Sequence, residues 1–224
     1  MSRMMIISAA VAVIGLGAYF VTSPGSGTNV TPVDPLGAAN AQEASDVDTS
    51  SIAEMSLGNP DAPVTVIEYA SYTCPHCARF HEGPFKQLKA DYIDSGKINF
   101  VYREVYFDRY GLWASMIARC AGTPEAFFGM SDLIYEKQST WSRAGEPGAI
   151  VDELRKIGLL AGLDAGKMEA CLQDGEKART LVAWYQENAT ADGVDSTPSF
   201  VINGTKYSNM SYAEMSELID AAVE

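Results

Sequence analysis

The sequence predicts an α/β protein whose sheet is interrupted by a block of helices, set behind an apolar leader and a polar tether. Three observations carry this reading. The β-branched run from Val64 to Ala70 has apolar residues on both faces, as a strand covered by helices on both sides requires. From about residue 111 to about residue 178 the hydrophobic period is helical throughout. The sheet then resumes in two short runs joined by Asn203-Gly204, the dipeptide of a type I′ hairpin turn. The order is βαβ, a helical block, then ββα.

The leader comes first. Arg3 is the only charge before Asp34, and an uncharged apolar run of 18 residues extends from Met4 to Val21. One cation ahead of such a run is the layout of a secretory signal or an N-terminal membrane anchor. The length is generous for a signal core and just sufficient to span a bilayer. Tyr19, Phe20 and Pro24 crowd the place where a small-residue cleavage box would stand, so both alternatives stay open. Residues 1–22 are therefore read as a signal or anchor segment. Residues 23–55 are read as a flexible linker, since no aromatic occurs between Phe20 and Tyr69 and so polar a stretch buries too little to offset its ordering entropy.

The remaining elements follow from local chemistry. After the strand at 64–70 a helix is expected over 74–92, kinked at Pro84, and then a strand over 98–105. Gly122 closes one helix, and Thr123-Pro124 opens the next as N-cap and first-turn proline. Another helix spans 149–160, Asp164 caps a short one leading to Cys171, and a longer one covers 176–191. Residues 199–202 and 205–207 form the hairpin, and Ser211 with Glu214 is a capping box that starts the last helix.

Composition limits the function. The formal net charge of −13, from 16 basic and 29 acidic residues, argues against a nucleic-acid partner, which needs a basic stripe. With 47% hydrophobic and 20% charged residues, most of the chain is globular. Four cysteines are too few for a disulfide-built scaffold but enough for two pairs.

One pair is Cys74-Pro75-His76-Cys77, where a central strand ends and a helix begins. Free N–H groups and the macrodipole at a helix N-terminus stabilise an anion, so the first cysteine there is readily a thiolate. The second lies one helical turn on, close enough to close a disulfide. Pro75 removes a donor that the first turn leaves unpaired anyway, and a protonated His76 would add positive charge beside Cys74. Zinc would need a second ligand pair of similar spacing. Cys120 and Cys171 are 51 positions apart and His81 stands alone, so redox chemistry is favoured over metal, and neither a metal nor a cofactor is expected.

With its strand at 64–71 leading into Cys74-Pro75-His76-Cys77, and with Thr197-Pro198 downstream, the sequence resembles the DsbA-type thiol:disulfide oxidoreductases of the thioredoxin superfamily. The resemblance implies a thioredoxin fold with an inserted α-helical domain. Its first part would be 56–110, the helical insertion 111–179 and its second part 180–224. It implies that Cys74 and Cys77 are catalytic and that Pro198 is the cis-proline facing them, leaving the Thr197 backbone to pair with a substrate strand. Glu68 matches the family's buried acid, which relays the proton of the second cysteine; it shares a strand face with Val64 and Val66. The alternative for Glu68 is a structural acid paired with Arg103. His81 is expected to be a surface or packing histidine. Tyr102, Tyr106, Phe107, Tyr110, Trp113 and Trp141 are expected mostly in the core. Some relatives carry a second disulfide in the helical block, which would pair Cys120 with Cys171; the alternative is two buried free thiols.

The expected activity is introduction of disulfide bonds into exported proteins outside the cytoplasm, in the periplasm or an equivalent space. The partners would be reduced, unfolded exported proteins and a membrane quinone-linked reoxidant of the DsbB kind, with the protein itself a monomer. The rivals are a disulfide isomerase or reductase and a non-catalytic thioredoxin-fold chaperone or adaptor.

Overall fold

The computed structural model describes residue 32 and residues 47–223. The expected leader at 1–22 and nearly all of the expected linker up to residue 46 lie outside the described residues. Among the described residues no helix is long and apolar enough to cross a membrane.

The β-branched run becomes strand β2 (Val64–Ala70), and it is central. With β1 (Met55–Gly58), β3 (Ile98–Glu104), β4 (Ser199–Ile202) and β5 (Thr205–Ser208) it makes a five-stranded mixed sheet in the order β1-β3-β2-β4-β5. β2 and β3 run parallel, with Val64 opposite Ile98 and Ala70 opposite Glu104, while β4 lies antiparallel on the other side of β2. Period-two alternation sends Val64, Val66 and Glu68 to one face and Ile67 and Tyr69 to the other. The first face meets the main core, which includes Phe100, Tyr102, Trp113, Phe127 and Trp141. The second meets a smaller cluster formed by Tyr69, Val105, Ala189 and Val201. Each large side chain buried in this way contributes about 1.5–3 kcal/mol.

The helix after β2 divides where proline requires it. Helix α1 (Pro75–Glu82) ends at Gly83, with φ −130° and ψ −80°, and α2 (Pro84–Leu88) restarts behind Pro84 before a π turn over Lys89–Ile93. Proline offers no N–H to the preceding turn and forces its predecessor out of the helical region. The helical block contains α3 (Arg109–Cys120), α4 (Pro124–Glu136), α5 (Gln138–Trp141), α6 (Pro147–Leu160) and α7 (Ala165–Leu172), followed by α8 (Gly175–Ala191). Thr123 and Asp164 cap α4 and α7 by accepting from the amides of Ala126 and Lys167. The hairpin turn has positive φ at Asn203 (44°) and Gly204 (83°), as type I′ demands. Ser211 and Glu214 exchange reciprocal hydrogen bonds at the start of α9 (Tyr212–Val223).

One boundary needs correction. The linker expected to reach residue 55 overruns the fold, because Ile52 and Met55 are buried and β1 pairs antiparallel with β3, Met55 opposite Tyr102. Glu54 binds the Arg103 guanidinium at 2.9 Å, and Arg119 Nη1 donates to the Ala53 carbonyl at 3.0 Å. So short a strand carries little apolar pattern of its own, and long-range pairing creates it. Gly58 closes it with φ +93°, where a Cβ would stand 2.4 Å from the Ile98 carbonyl oxygen.

Two links tie the helical block together and to the sheet. Cys120, the last residue of α3, and Cys171 in α7 form a disulfide with Cα atoms 6.1 Å apart. Buried Glu104 on β3 takes a bidentate pair from Arg119 of α3, at 2.6 and 2.7 Å, and a further hydrogen bond from the Ser115 hydroxyl at 3.0 Å.

Candidate active site

Cys74 is the N-cap residue of α1, with extended backbone (φ −82°, ψ 117°) and Pro75 as the first helical residue. Cys77, one turn on, is fully buried, while Cys74 is 9% exposed; both are free thiols. The loop leading to Cys74 is held from two sides. The Thr73 hydroxyl donates to Asp108 Oδ2 at 2.8 Å, and the other Asp108 oxygen caps α3 by accepting from the amides of Tyr110 and Gly111. From α5, the buried amide of Gln138 donates to the carbonyls of Tyr72 and Cys74, at 2.8 and 2.9 Å. Gln138 was not among the residues singled out from the sequence. Its segment is too short for a helical period, and its partners lie more than sixty positions away.

Opposite the cysteines, the Thr197–Pro198 peptide is cis. The Cys74 thiol donates to the Thr197 carbonyl at 3.4 Å, a contact that only the protonated sulfur can make. The Thr197 hydroxyl is buried without a partner in this arrangement. The two thiols are driven apart. Cys74 is held down at about 5, chiefly by the Cys77 thiol, with Thr197 and the backbone N–H groups of Cys77 and His76 assisting against the cost of burial. Cys77 is pushed far up, first by burial and then by its hydrogen bond to Cys74 and the charge of Glu68. At neutral pH the Cys74 sulfur thus favours the thiolate and the Cys77 sulfur the thiol.

Four sequence expectations can be set against the structure here. The His76 ring lies 2.8 Å from Arg79 Nη2 at its Nδ1, and the His76 backbone N–H assists in holding Cys74 down. His81, expected to be a surface or packing histidine, is not at the surface: it is 3% exposed and places Nε2 3.0 Å from Oε2 of fully buried Glu68. Its ring also stacks on Tyr135, centroids 4.4 Å apart. Arg103, the alternative partner for Glu68, binds Glu54 and Asp192 instead, because neighbouring strand positions face opposite sides of the sheet. Phe107, expected in the core, is 57% exposed between β3 and the Asp108 cap. A cleft of about 460 Å³ runs past Thr73, Pro75, Arg79, Asp108, Tyr110 and Arg143. Among the described residues, no group of three or more His, Cys, Asp or Glu side chains could hold a metal ion.

A thiolate-forming cysteine at a helix N-terminus, with its partner buried one turn later on a sheet that carries inserted helices, defines a dithiol protein of the thioredoxin fold. Residues 50–221 match the family model described as thioredoxin, and the chain belongs to that family, in its DsbA-like branch. The crystal structure of Wolbachia pipientis α-DsbA1 superposes with a TM-score of 0.72 at 26% identity, covering 80% of this chain and 94% of that one. A Rickettsia bellii protein named "Putative protein-disulfide oxidoreductase" is 37% identical over 171 residues, which is 76% of this chain and 65% of that protein. The Bacillus subtilis disulfide bond formation protein D is 27% identical over 178 residues, 73% of this chain and 74% of that one. This chain therefore spans just under two thirds of the length of the Rickettsia relative.

Proposed function

We propose that this protein is a thiol:disulfide oxidoreductase that works as a dithiol oxidase on exported proteins at its Cys74–Cys77 pair. The observation that carries the reading is the asymmetry of the two thiols. A Cys74 thiolate stable down to a pH of about 5 stabilises the reduced couple, and a stabilised reduced form makes the disulfide a strong oxidant. The similarity to proteins named for disulfide formation points the same way.

In the forward reaction a substrate thiolate attacks Cys74 Sγ. The Cys74–Cys77 bond breaks, its electron pair leaves on Cys77, and a substrate–Cys74 disulfide forms. A second substrate thiolate then attacks the substrate sulfur of that bond, Cys74 departs as the stabilised thiolate, and the substrate leaves oxidised. Glu68, buried beside Cys77, is the proposed proton carrier for the second cysteine. Thr197 and Pro198 face the nucleophile, and the free edge of that loop suits an extended substrate strand. Exposed Phe107 and the cleft past Asp108 provide apolar and polar contacts for an unfolded chain. The signal or anchor reading of residues 1–22 would deliver the enzyme across a membrane, where a quinone-linked membrane reoxidant of the DsbB kind would restore the disulfide.

The test combines the redox equilibrium with glutathione and turnover of a reduced dithiol peptide. An oxidase equilibrates at strongly oxidising glutathione ratios and converts the peptide stoichiometrically, and Cys77→Ala accumulates mixed disulfides that Cys74→Ala does not form. A strongly reducing equilibrium would favour the reductase reading, and no exchange at all would favour a chaperone or adaptor.

A further inference from the structure

A buried dithiol needs a proton acceptor as well as a nucleophile. Cys77 has no exposed surface, so its proton must pass to a group inside the protein before its sulfur can attack. Two ionisable side chains lie beneath it, Glu68 and His81, joined by the single Oε2···Nε2 contact at 3.0 Å. Their other polar atoms, Glu68 Oε1 and His81 Nδ1, are buried with no partner. Two such atoms carry a desolvation cost that a purely structural pair would be expected to relieve. Packing alone does not explain the histidine either, since its stacking on Tyr135 and its contact with Phe85 at 4.6 Å would serve an apolar ring equally well.

The surroundings single out this pair. From β3 and α4 the hydroxyls of Tyr102 and Tyr135 bond to each other at 2.6 Å, and burial pushes both far up so that they stay neutral. Asp132 of α4 interacts electrostatically with His81, with Lys86 of α2 and with Lys89 of the π turn. From α1 come Cys74 and Cys77 themselves. Arg103, a cation on the adjacent strand, is turned to the opposite face and engaged there.

We propose that His81 is a positioning residue that holds Glu68 as the proton acceptor for Cys77, its Nε2–H donating to Oε2 and leaving Oε1 for the incoming proton. The proposal rests on the dithiol reading above and deepens it. When a mixed disulfide on Cys74 is resolved from within, the Cys77 proton passes to Glu68 and the Cys77 thiolate attacks Cys74 Sγ. The Cys74–Cys77 bond forms while the bond from Cys74 to the bound thiol breaks, and the departing thiolate takes its electron pair. In this step the Cys77 sulfur is oxidised and the sulfur of the bound group is reduced to its thiolate, while Cys74 stays at the disulfide level. In the oxidase direction the same proton returns from Glu68 to Cys77 as Cys77 leaves the disulfide.

The experiment uses the full, reduced protein and glutathione disulfide and follows two steps separately. Attack by Cys74 forms the protein–glutathione mixed disulfide, and closure by Cys77 then releases glutathione; rapid acid quenching and mass measurement resolve them from pH 5 to 9. His81→Phe keeps the stacking and removes the donor, so closure should slow on the order of tenfold at pH 7, a part of what a positioned general base contributes. Its pH profile should also move. His81→Gln, whose amide can still donate to Oε2, should recover most of the rate without restoring the wild-type pH profile. In a Glu68→Gln background His81→Phe should add nothing. Wild-type closure rate and pH profile in His81→Phe would overturn the proposal, as would equal slowing in His81→Phe and His81→Gln at unchanged pH profile, the signature of packing loss. Absence of the first step in the wild type would instead defeat the oxidoreductase reading itself.

Discussion

At the scale of single residues, the candidate active site sets two identical side chains against each other through burial and hydrogen bonding. Cys74 at the helix end is held at about 5, below the ordinary thiol value of about 8.5. The linkage has a definite sign. A thiol depressed in the folded state adds stability that is present above its unfolded value and is lost as pH falls through about 5. The reduced protein should therefore lose stability on going from pH 8.5 to 5, while the oxidised protein, lacking that thiol, shows no such slope from this group. Thermal unfolding of both forms across that range checks it. The source of the depression makes a second prediction. Because the Cys77 thiol leads, followed by Thr197 and only then the backbone N–H groups, and the His76 ring is bonded to Arg79, His76→Ser should shift the Cys74 thiolate titration less than Cys77→Ala raises it. An ultraviolet thiolate titration of the two variants decides the order, and the reverse order would restore the imidazolium explanation.

At the scale of elements, short segments do work that no local pattern announces. Helix α5 has four residues, yet its Gln138 closes the polar groups of the Cys74 loop. Gln138→Leu leaves the Tyr72 carbonyl without this donor and should cost about 1–3 kcal/mol, as an orphaned buried acceptor does. Urea unfolding measures the loss, and a displaced Cys74 titration in the same variant would show that the loop conformation depends on it. The disulfide between α3 and α7 acts differently, through the unfolded chain. Closing a loop across 51 positions is worth about 4 kcal/mol on the chain-entropy model. Cys120→Ser with Cys171→Ser should lower the melting temperature markedly while peptide oxidation at Cys74 persists. Retained stability with lost activity would give the second pair a role in electron transfer.

At the scale of the whole molecule, the sheet and the helical block are joined by a buried ion pair. The Glu104 and Arg119 side chains are 1% and 5% exposed, and the guanidinium also lies over the Trp184 and Phe127 rings at 5.3 and 5.7 Å. Removing one partner strands a charge in the core. Arg119→Met should therefore destabilise by about 3–5 kcal/mol, whereas Glu104→Leu combined with Arg119→Met should recover much of that loss. A double-mutant cycle by denaturant unfolding separates the two outcomes. Arg119 also reaches the Ala53 carbonyl, so the single change should loosen β1 at the sheet edge, visible as faster amide exchange in Met55–Gly58.

What the sequence determined by itself were the features encoded by neighbours along the chain. The strand at Val64–Ala70 declared its central place by apolar residues on both faces. Pro84 marked the helix break, Asn203-Gly204 the tight turn, Ser211 and Glu214 the capping box, and Cys74 to Cys77 the one-turn spacing of a dithiol. Each depends on interactions within four residues or so, which is the range over which backbone geometry and hydrogen bonding are local. The tertiary structure alone decided β1, which needs β3 before it is a strand, and Gln138, whose acceptors lie in another element. It also decided the partner of Glu68. Arg103 is near in the sheet but on the wrong face, whereas His81 is brought across from α1 because the helix packs its Cys77 side onto β2. Contacts of that kind are set by which faces meet, and only the folded chain specifies the meeting.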